Sequence, residues 1–247
     1  MDLKKRGIYE VISNEKIAKD VYKMVLKGDT SYISFPGQFI NIKIDELYLR
    51  RPISVCDYDE NTITVIYKVV GHGTEKMAEM GAGTKLDILT GLGNGFRVEA
   101  SGKIPLLVGG GVGTPPMYRL CKELIEQGKE PIVVLGFNSS EDVFYEEEFK
   151  KLGAKVYVST VDGSYGTKGF VTDVIKTMNG YTYHYACGPL PMLKALYEVA
   201  DGEGEYSFEQ RMGCGFGACM GCTVRVKDGF KRVCKEGPVL KKEEIVW

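Results

Sequence analysis

The sequence predicts a β + α/β protein in three parts: an antiparallel β-barrel over residues 1–100, a doubly wound parallel-sheet domain over 101–206, and a small C-terminal domain over 207–247. Three observations carry this. The first part is a series of short apolar or alternating runs separated by turn residues. From Ser101 onward, strand-like and helix-like segments alternate. Cys214, Cys219, Cys222 and Cys234 then crowd together near the C-terminus.

In the first part, the runs at 8–12, 21–26, 38–44, 53–58 and 62–70 read as strands. A short helix is expected at 74–80 and a further strand at 85–89. Many short strands joined by Gly- and Pro-bearing turns suggest a small antiparallel barrel. In the second part, 104–108 is a buried strand. The helix at 115–127 follows, with Thr114 as N-cap and Pro115 in the first helical position. Next come strand 132–136, helix 141–151, strand 155–160, helix 170–178, strand 183–186 and helix 191–199. Such alternation implies a parallel sheet, and ligands on these sheets bind beyond the carboxyl ends of the strands. After Gly204 the alternation is expected to stop. A hairpin, 223–226 with 230–233, turns at Lys227-Asp228-Gly229. That segment holds too little apolar material for a core of its own, and a bound metal centre would supply what is missing. There is no internal repeat and no low-complexity segment.

Composition excludes several classes. With 247 residues, 44% hydrophobic, 26% charged and a formal net charge of -1, the chain has no basic excess directed at nucleic acid and no like-charge tail. The stretch 1–16 is charged and lacks an apolar h-region, so no signal peptide is expected. No apolar run approaches the roughly 18 residues of a membrane span. The expectation is a cytoplasmic protein with no nucleic-acid and no membrane partner. In that reducing compartment the seven cysteines do not read as a disulfide framework.

Cys56, Cys121 and Cys187 are scattered, but the other four follow the order Cys214-x4-Cys219-x2-Cys222-x11-Cys234. C-x4-C-x2-C…C is the plant-type spacing for a [2Fe–2S] cluster. Four thiolates must converge on two irons, so three come from one tight loop and one from a nearby hairpin. Gly213, Gly215, Gly217 and Gly221 let backbone N–H groups turn toward the cluster sulfurs. The alternatives are a structural zinc site or uncommitted thiols. Zinc usually takes two C-x2-C pairs or cysteine pairs with histidines; here there is one such pair, and neither His72 nor His184 is near in sequence.

Four further motifs are weak singly and gain weight in order. Arg51-Pro52-Ile53-Ser54 lies on a barrel strand; an arginine can grip a pyrophosphate bidentately, and a serine hydroxyl can hydrogen-bond the edge of a flavin. Gly71-His72-Gly73-Thr74 opens a short helix whose N-terminus suits a phosphate. Gly109-Gly110-Gly111-Val112-Gly113-Thr114 follows a strand and opens a helix. It departs from G-x-G-x-x-G because Thr114 stands in place of the third glycine, yet its backbone can approach a pyrophosphate. Cys187-Gly188-Pro189 ends a later strand, at the carboxyl edge where a nicotinamide would lie. Cys187 alone reads equally as a buried structural thiol.

In this order the motifs resemble the ferredoxin–NADP reductase superfamily. With Glu209-Gln210-Arg211-Met212-Gly213-Cys214 and the cysteines that follow, the chain resembles, over essentially its whole length, the electron-transfer subunits of NAD-linked (type B) dihydroorotate dehydrogenases. The resemblance implies that Arg51, Pro52, Ile53 and Ser54 contact FAD, that Ile66, Tyr67 and Lys68 line the flavin, and that Gly73 and Thr74 hold its phosphate. It implies cluster ligation by Cys214, Cys219, Cys222 and Cys234. NAD would bind at Gly110, Gly111, Gly113, Thr114, Cys187, Gly188 and Pro189. The implied partner is an FMN-containing catalytic subunit that oxidises dihydroorotate to orotate in pyrimidine biosynthesis, in a heterotetramer of two of each chain. Two departures stand out. Ile53 replaces a frequent aromatic residue of the flavin motif, and the terminal Trp247 does not inherit the flavin-shielding role of many reductases. No side-chain general acid or base is expected, because the cofactors carry the redox chemistry.

The stretch 137–142, Phe-Asn-Ser-Ser-Glu-Asp, has no Arg or Lys to accept a 2′-phosphate and two acids, which favours NAD over NADP. The same architecture also serves bifurcating ferredoxin reductases, sulfite reductases and hydrogenases. A reading of another class is a zinc-holding adaptor built on a reductase scaffold.

Overall fold

The computed structural model describes residues 5–247; residues 1–4, where the charged N-terminal stretch begins, lie outside the described residues. Strands β1 (Arg6–Ala18), β2 (Val21–Lys27), β3 (Phe39–Ile42), β4 (Arg51–Tyr58), β5 (Thr62–Lys68) and β6 (Lys85–Leu92) form a closed antiparallel barrel in the order β1-β2-β5-β4-β3-β6. Alternation places Met24 and Leu26, Ile40 and Ile42, and Ile63, Val65 and Tyr67 inside. Helix α1 (His72–Ala78) bridges β5 and β6.

The second unit is a seven-stranded sheet. Its elements are β7 (Pro105–Gly110), α2 (Thr114–Glu126), β8 (Ile132–Phe137), α3 (Glu146–Leu152), β9 (Lys155–Thr160), β10 (Thr167–Lys168), α4 (Val171–Ile175), β11 (Tyr183–Cys187), α5 (Leu190–Val199), β12 (Gly204–Ser207) and β15 (Val239–Lys241). The strand order is β10-β9-β8-β7-β11-β12-β15, parallel except for β15. The order reverses between β7 and β11, so the crevice of a doubly wound sheet opens there. Between β12 and β15 the chain forms the cysteine loop and a hairpin, β13 (Thr223–Val226) with β14 (Gly229–Arg232).

Four expectations are corrected. Alternation does not stop at Gly204: β12 continues the parallel sheet and β15 caps its edge. Both are too short to show periodicity, and β15 is specified by its pairing with β12. The helix expected at 141–151 is instead a single 3₁₀ turn, Ser140–Asp142, an extended Val143, and α3 from Glu146. Phe144 packs against Phe137 with ring centroids 5.4 Å apart, and Tyr145 sits at φ +68°, which interrupts the helix. Thr114 is the first helical residue rather than the N-cap; Gly113 occupies the cap and the Thr114 side chain makes no capping bond. The hairpin turns at Lys227-Asp228, with Gly229 already paired to Val226.

As expected, the C-terminal segment has no separate core. Cys222, Val226, Val233, Cys234 and Ile245 pack with Phe39 and Leu92 of the barrel and Tyr206 of the sheet. No helix among the described residues is long and apolar enough to cross a membrane.

Candidate functional site

On the barrel, Arg51 lies across the start of α1. A Cβ at Gly73 would collide with the Arg51 guanidinium, so glycine is what allows the contact. Arg51 Nη1 also donates to the Leu49 carbonyl. One cation and one helix N-terminus therefore converge, the pairing a pyrophosphate requires. The Thr74 hydroxyl is committed locally: it accepts from the Val70 N–H (2.9 Å) and donates to the Gly71 carbonyl (2.9 Å).

Ile66 and Tyr67 are buried. The Tyr67 hydroxyl donates to Asn14 Oδ1 at 2.9 Å, and Asn14 Nδ2 donates to the Met77 and Met80 carbonyls at 2.8 and 3.0 Å. Burial pushes the Tyr67 phenol up to about 12. Its side chain thus braces the end of α1. Of the three residues only Lys68 turns its side chain to a cleft.

That cleft, of ≈ 420 Å³, opens at the carboxyl ends of β7, β8 and β9 and is closed on one side by Val21 and Lys68 of the barrel. Its glycines do different work. Gly111, at φ +52°, would meet nothing with a Cβ, so a ligand can approach its backbone. A Cβ at Gly110 would strike Met192, and one at Gly113 would strike the Cys187 carbonyl, so these two let the β7 and β11 turns come together. Cys187 lies opposite Gly109 across the two strands. Burial pushes its thiol up to about 12, the charge of Glu209 adds to this, and a hydrogen bond with Ser207 opposes it.

Two hydroxyls, Thr114 Oγ1 and Ser159 Oγ, are buried at or beside the cleft without a hydrogen-bond partner among the described residues. An unpaired buried hydroxyl costs about 1–3 kcal/mol. A polar ligand entering over Gly111 would offset that cost, so the residues fit a nucleotide. Ser159, Phe170 and Met192 line this cleft and escaped sequence reasoning, because no motif marks them.

Glu141 and Asp142 do not stand free to select against a 2′-phosphate. Glu141 pairs with Lys19 at 3.0 Å, and Asp142 with Lys68 at 3.5 Å. They tie the sheet to the barrel, so nucleotide preference does not follow from them.

The cysteine loop runs without regular structure through Gly215 (φ +77°), Gly217 (φ +91°) and Met220 (φ +61°). The thiols come in two pairs, Cys214 with Cys219 and Cys222 with Cys234. Backbone N–H groups aim at their sulfurs: Ala218 and Cys219 at Cys214 Sγ (3.2 and 3.4 Å), and Cys234 at Cys222 Sγ (3.4 Å). Burial raises the Cys214 thiol, but the N–H groups of Phe216, Cys219 and Ala218 outweigh it and bring it down to about 6. Burial drives Cys234 up to about 12.

Among the described residues, no three His, Cys, Asp or Glu side chains surround one ion-sized point. Two pairs with inward N–H donors match a two-iron centre, each iron taking one pair. Arg232 on β14, a residue no motif marks, donates to the Gly217 carbonyl at 2.5 Å and pairs with Glu236. Trp247 packs on Phe208 and Tyr197, with centroids 5.7 and 5.9 Å away.

Residues 209–246 match the family model of the iron-sulfur cluster binding domain of dihydroorotate dehydrogenase B, and residues 107–198 that of the oxidoreductase NAD-binding domain. A dihydroorotate dehydrogenase B (NAD(+)) electron transfer subunit from Fusobacterium nucleatum is 48% identical over 95% of this chain and 96% of its own length. The chain belongs to this family of electron-transfer subunits. The subunit from Shouchella clausii is 44% identical over 98% of this chain and 99% of its own. Among solved structures, an NADH-dependent reduced ferredoxin-NADP oxidoreductase superposes with a TM-score of 0.88 at 30% identity, over 98% of this chain and 90% of that one. A Neisseria gonorrhoeae ferredoxin NADP+ reductase with bound FAD and NADP shares the fold at TM-score 0.69 and 16% identity, over 79% of this chain and 90% of that one. As in its family, this chain is an oxidoreductase subunit that transfers electrons.

Proposed function

We propose that this subunit takes electrons from an FMN-containing catalytic partner that oxidises dihydroorotate to orotate, and passes them through a [2Fe–2S] cluster and FAD to NAD+ in the cytoplasm. The observation that carries the reading is contiguity. The loop with two thiol pairs packs on the barrel that presents Arg51 over α1, and that barrel also closes the nucleotide cleft with Val21 and Lys68.

A flavin held by the barrel would supply the chemistry that joins two-electron hydride exchange with a nicotinamide to one-electron exchange with an iron–sulfur centre. The residues hold and orient. Arg51, Pro52, Ile53 and Ser54 seat the FAD, with Arg51 and Gly73 at the pyrophosphate, Thr74 shaping the turn, and the main chain of Ile66, Tyr67 and Lys68 along the ring. Cys214, Cys219, Cys222 and Cys234 would hold the cluster. Gly110, Gly111, Gly113, Thr114, Cys187, Gly188 and Pro189 seat the NAD. No side chain moves a proton in the hydride step. The chain divides by cofactor at 100/101 and after β12, with β15 returning from the third part to the edge of the sheet, and the assembly pairs two copies of each subunit.

The test is anaerobic co-expression with the catalytic subunit, then a visible spectrum with flavin, iron, sulfide and zinc assays and a mass for the complex. FAD with equal iron and sulfide in a 2+2 complex, reducing NAD+ in preference to NADP+, is expected. Zinc without flavin would reduce the chain to a scaffold.

A further inference from the structure

One buried polar side chain sits where the barrel meets the cysteine loop and belongs to no motif. Asn41 is in the middle of β3, a strand otherwise made of Phe39, Ile40 and Ile42, and is 1% exposed. Ile40 and Ile42 point into the barrel, so Asn41 and Phe39 point out, toward the C-terminal segment. The Asn41 carboxamide nitrogen donates to the Cys214 carbonyl at 3.4 Å. A Cβ at Gly215 would collide with the same carboxamide, so the loop backbone lies directly on it.

Asn41 is also anchored from the barrel side. It pairs with Pro52 of the flavin strand and with Leu89 of β6, and its carbonyl accepts from Arg50 Nη1 at 3.3 Å. Arg50 is fixed in turn by Asp87, at 2.9 Å. The carboxamide oxygen has no hydrogen-bond partner among the described residues. A leucine at this position would fill the space without leaving a buried acceptor unpaired, so packing alone does not explain the asparagine. Local rules broken in a core are expected where function needs them.

Resting on the functional reading above, we propose that Asn41 is a positioning residue for electron transfer. Its carboxamide clamps the Cys214–Gly215 backbone to the strand beside Pro52, and so sets the separation of cluster and flavin. The clamp is short and rigid because it comes from a strand of a closed barrel rather than from a loop.

The experiment compares wild type with Asn41→Leu, and with Asn41→Ser, which keeps a small donor, each in the complex with its catalytic subunit. Flavin, iron and sulfide are assayed first. NADH is then mixed rapidly, flavin reduction is followed by absorbance, and cluster reduction by freeze-quench EPR. Asn41→Leu is expected to retain both cofactors, reduce its flavin at the wild-type rate, shift the cluster's g-values, and slow flavin-to-cluster transfer a few-fold. Asn41→Ser should fall between. Unchanged transfer and g-values in a loaded Asn41→Leu complex would overturn the proposal. Loss of iron from both variants would also overturn it, by making Asn41 a cluster-retaining residue. Wild-type protein lacking flavin or iron would overturn the functional reading itself.

Discussion

The barrel and the cysteine loop solve the same problem in opposite ways. The barrel closes its hydrogen bonds on itself and fills its interior with alternating apolar residues such as Ile40, Ile42, Ile63 and Val65. The loop has no ladder, three consecutive left-handed stations at Gly215, Gly217 and Met220, and two thiol pairs. It borrows its packing from Phe39, Leu92 and Tyr206. A closed barrel can hold its shape without its ligand, whereas a loop of this kind depends on metal–sulfur bonds for much of its own.

The largest expected effect breaks that contrast outright. Cys222→Ser removes a buried thiol of the proposed cluster site, so iron and sulfide should fall to near zero while flavin stays bound; loss of flavin as well would show that barrel and loop are one cooperative unit. Gly73→Ala attacks the barrel's own site. The added Cβ must displace the Arg51 guanidinium, and losing that charged contact should weaken FAD binding about 10–100-fold, read by flavin titration of the apoprotein, with the cluster unaffected. Gly113→Ala pushes against the Cys187 carbonyl, and KM for NADH should rise about tenfold with both cofactors retained. Ser159→Ala is the mildest. Removing the unpaired hydroxyl should leave the unfolding midpoint unchanged or slightly higher and raise KM for NADH a few-fold, corresponding to about 1 kcal/mol. An unchanged KM would place the nucleotide elsewhere in the cleft.

Legibility in the sequence followed the range of the interaction. The barrel strands, β9 and the hairpin strand β13 were readable because alternation and turn residues are local. The cysteine spacing was readable because three of the four cysteines share one loop. The interruption at Val143–Tyr145 was not, since it depends on Phe144 packing against Phe137 rather than on helix propensity. The stretch 137–142 carried no cation of its own, and only the fold revealed Lys19 and Lys68 beside Glu141 and Asp142. The direction of the Tyr67 ring was not legible either; the pleat turns it inward to Asn14.

By itself the amino-acid sequence determined the order of barrel, parallel sheet and cysteine segment, and the residue types able to grip phosphate and iron, because periodicity and ligand spacing are written in neighbouring positions. Tertiary structure alone decided which of those residues meet. β12 and β15 join one sheet, Gly113 lies under Cys187, Arg51 over Gly73, and Asn41 against Cys214, each pair far apart in the chain and brought together only by packing that no local pattern encodes.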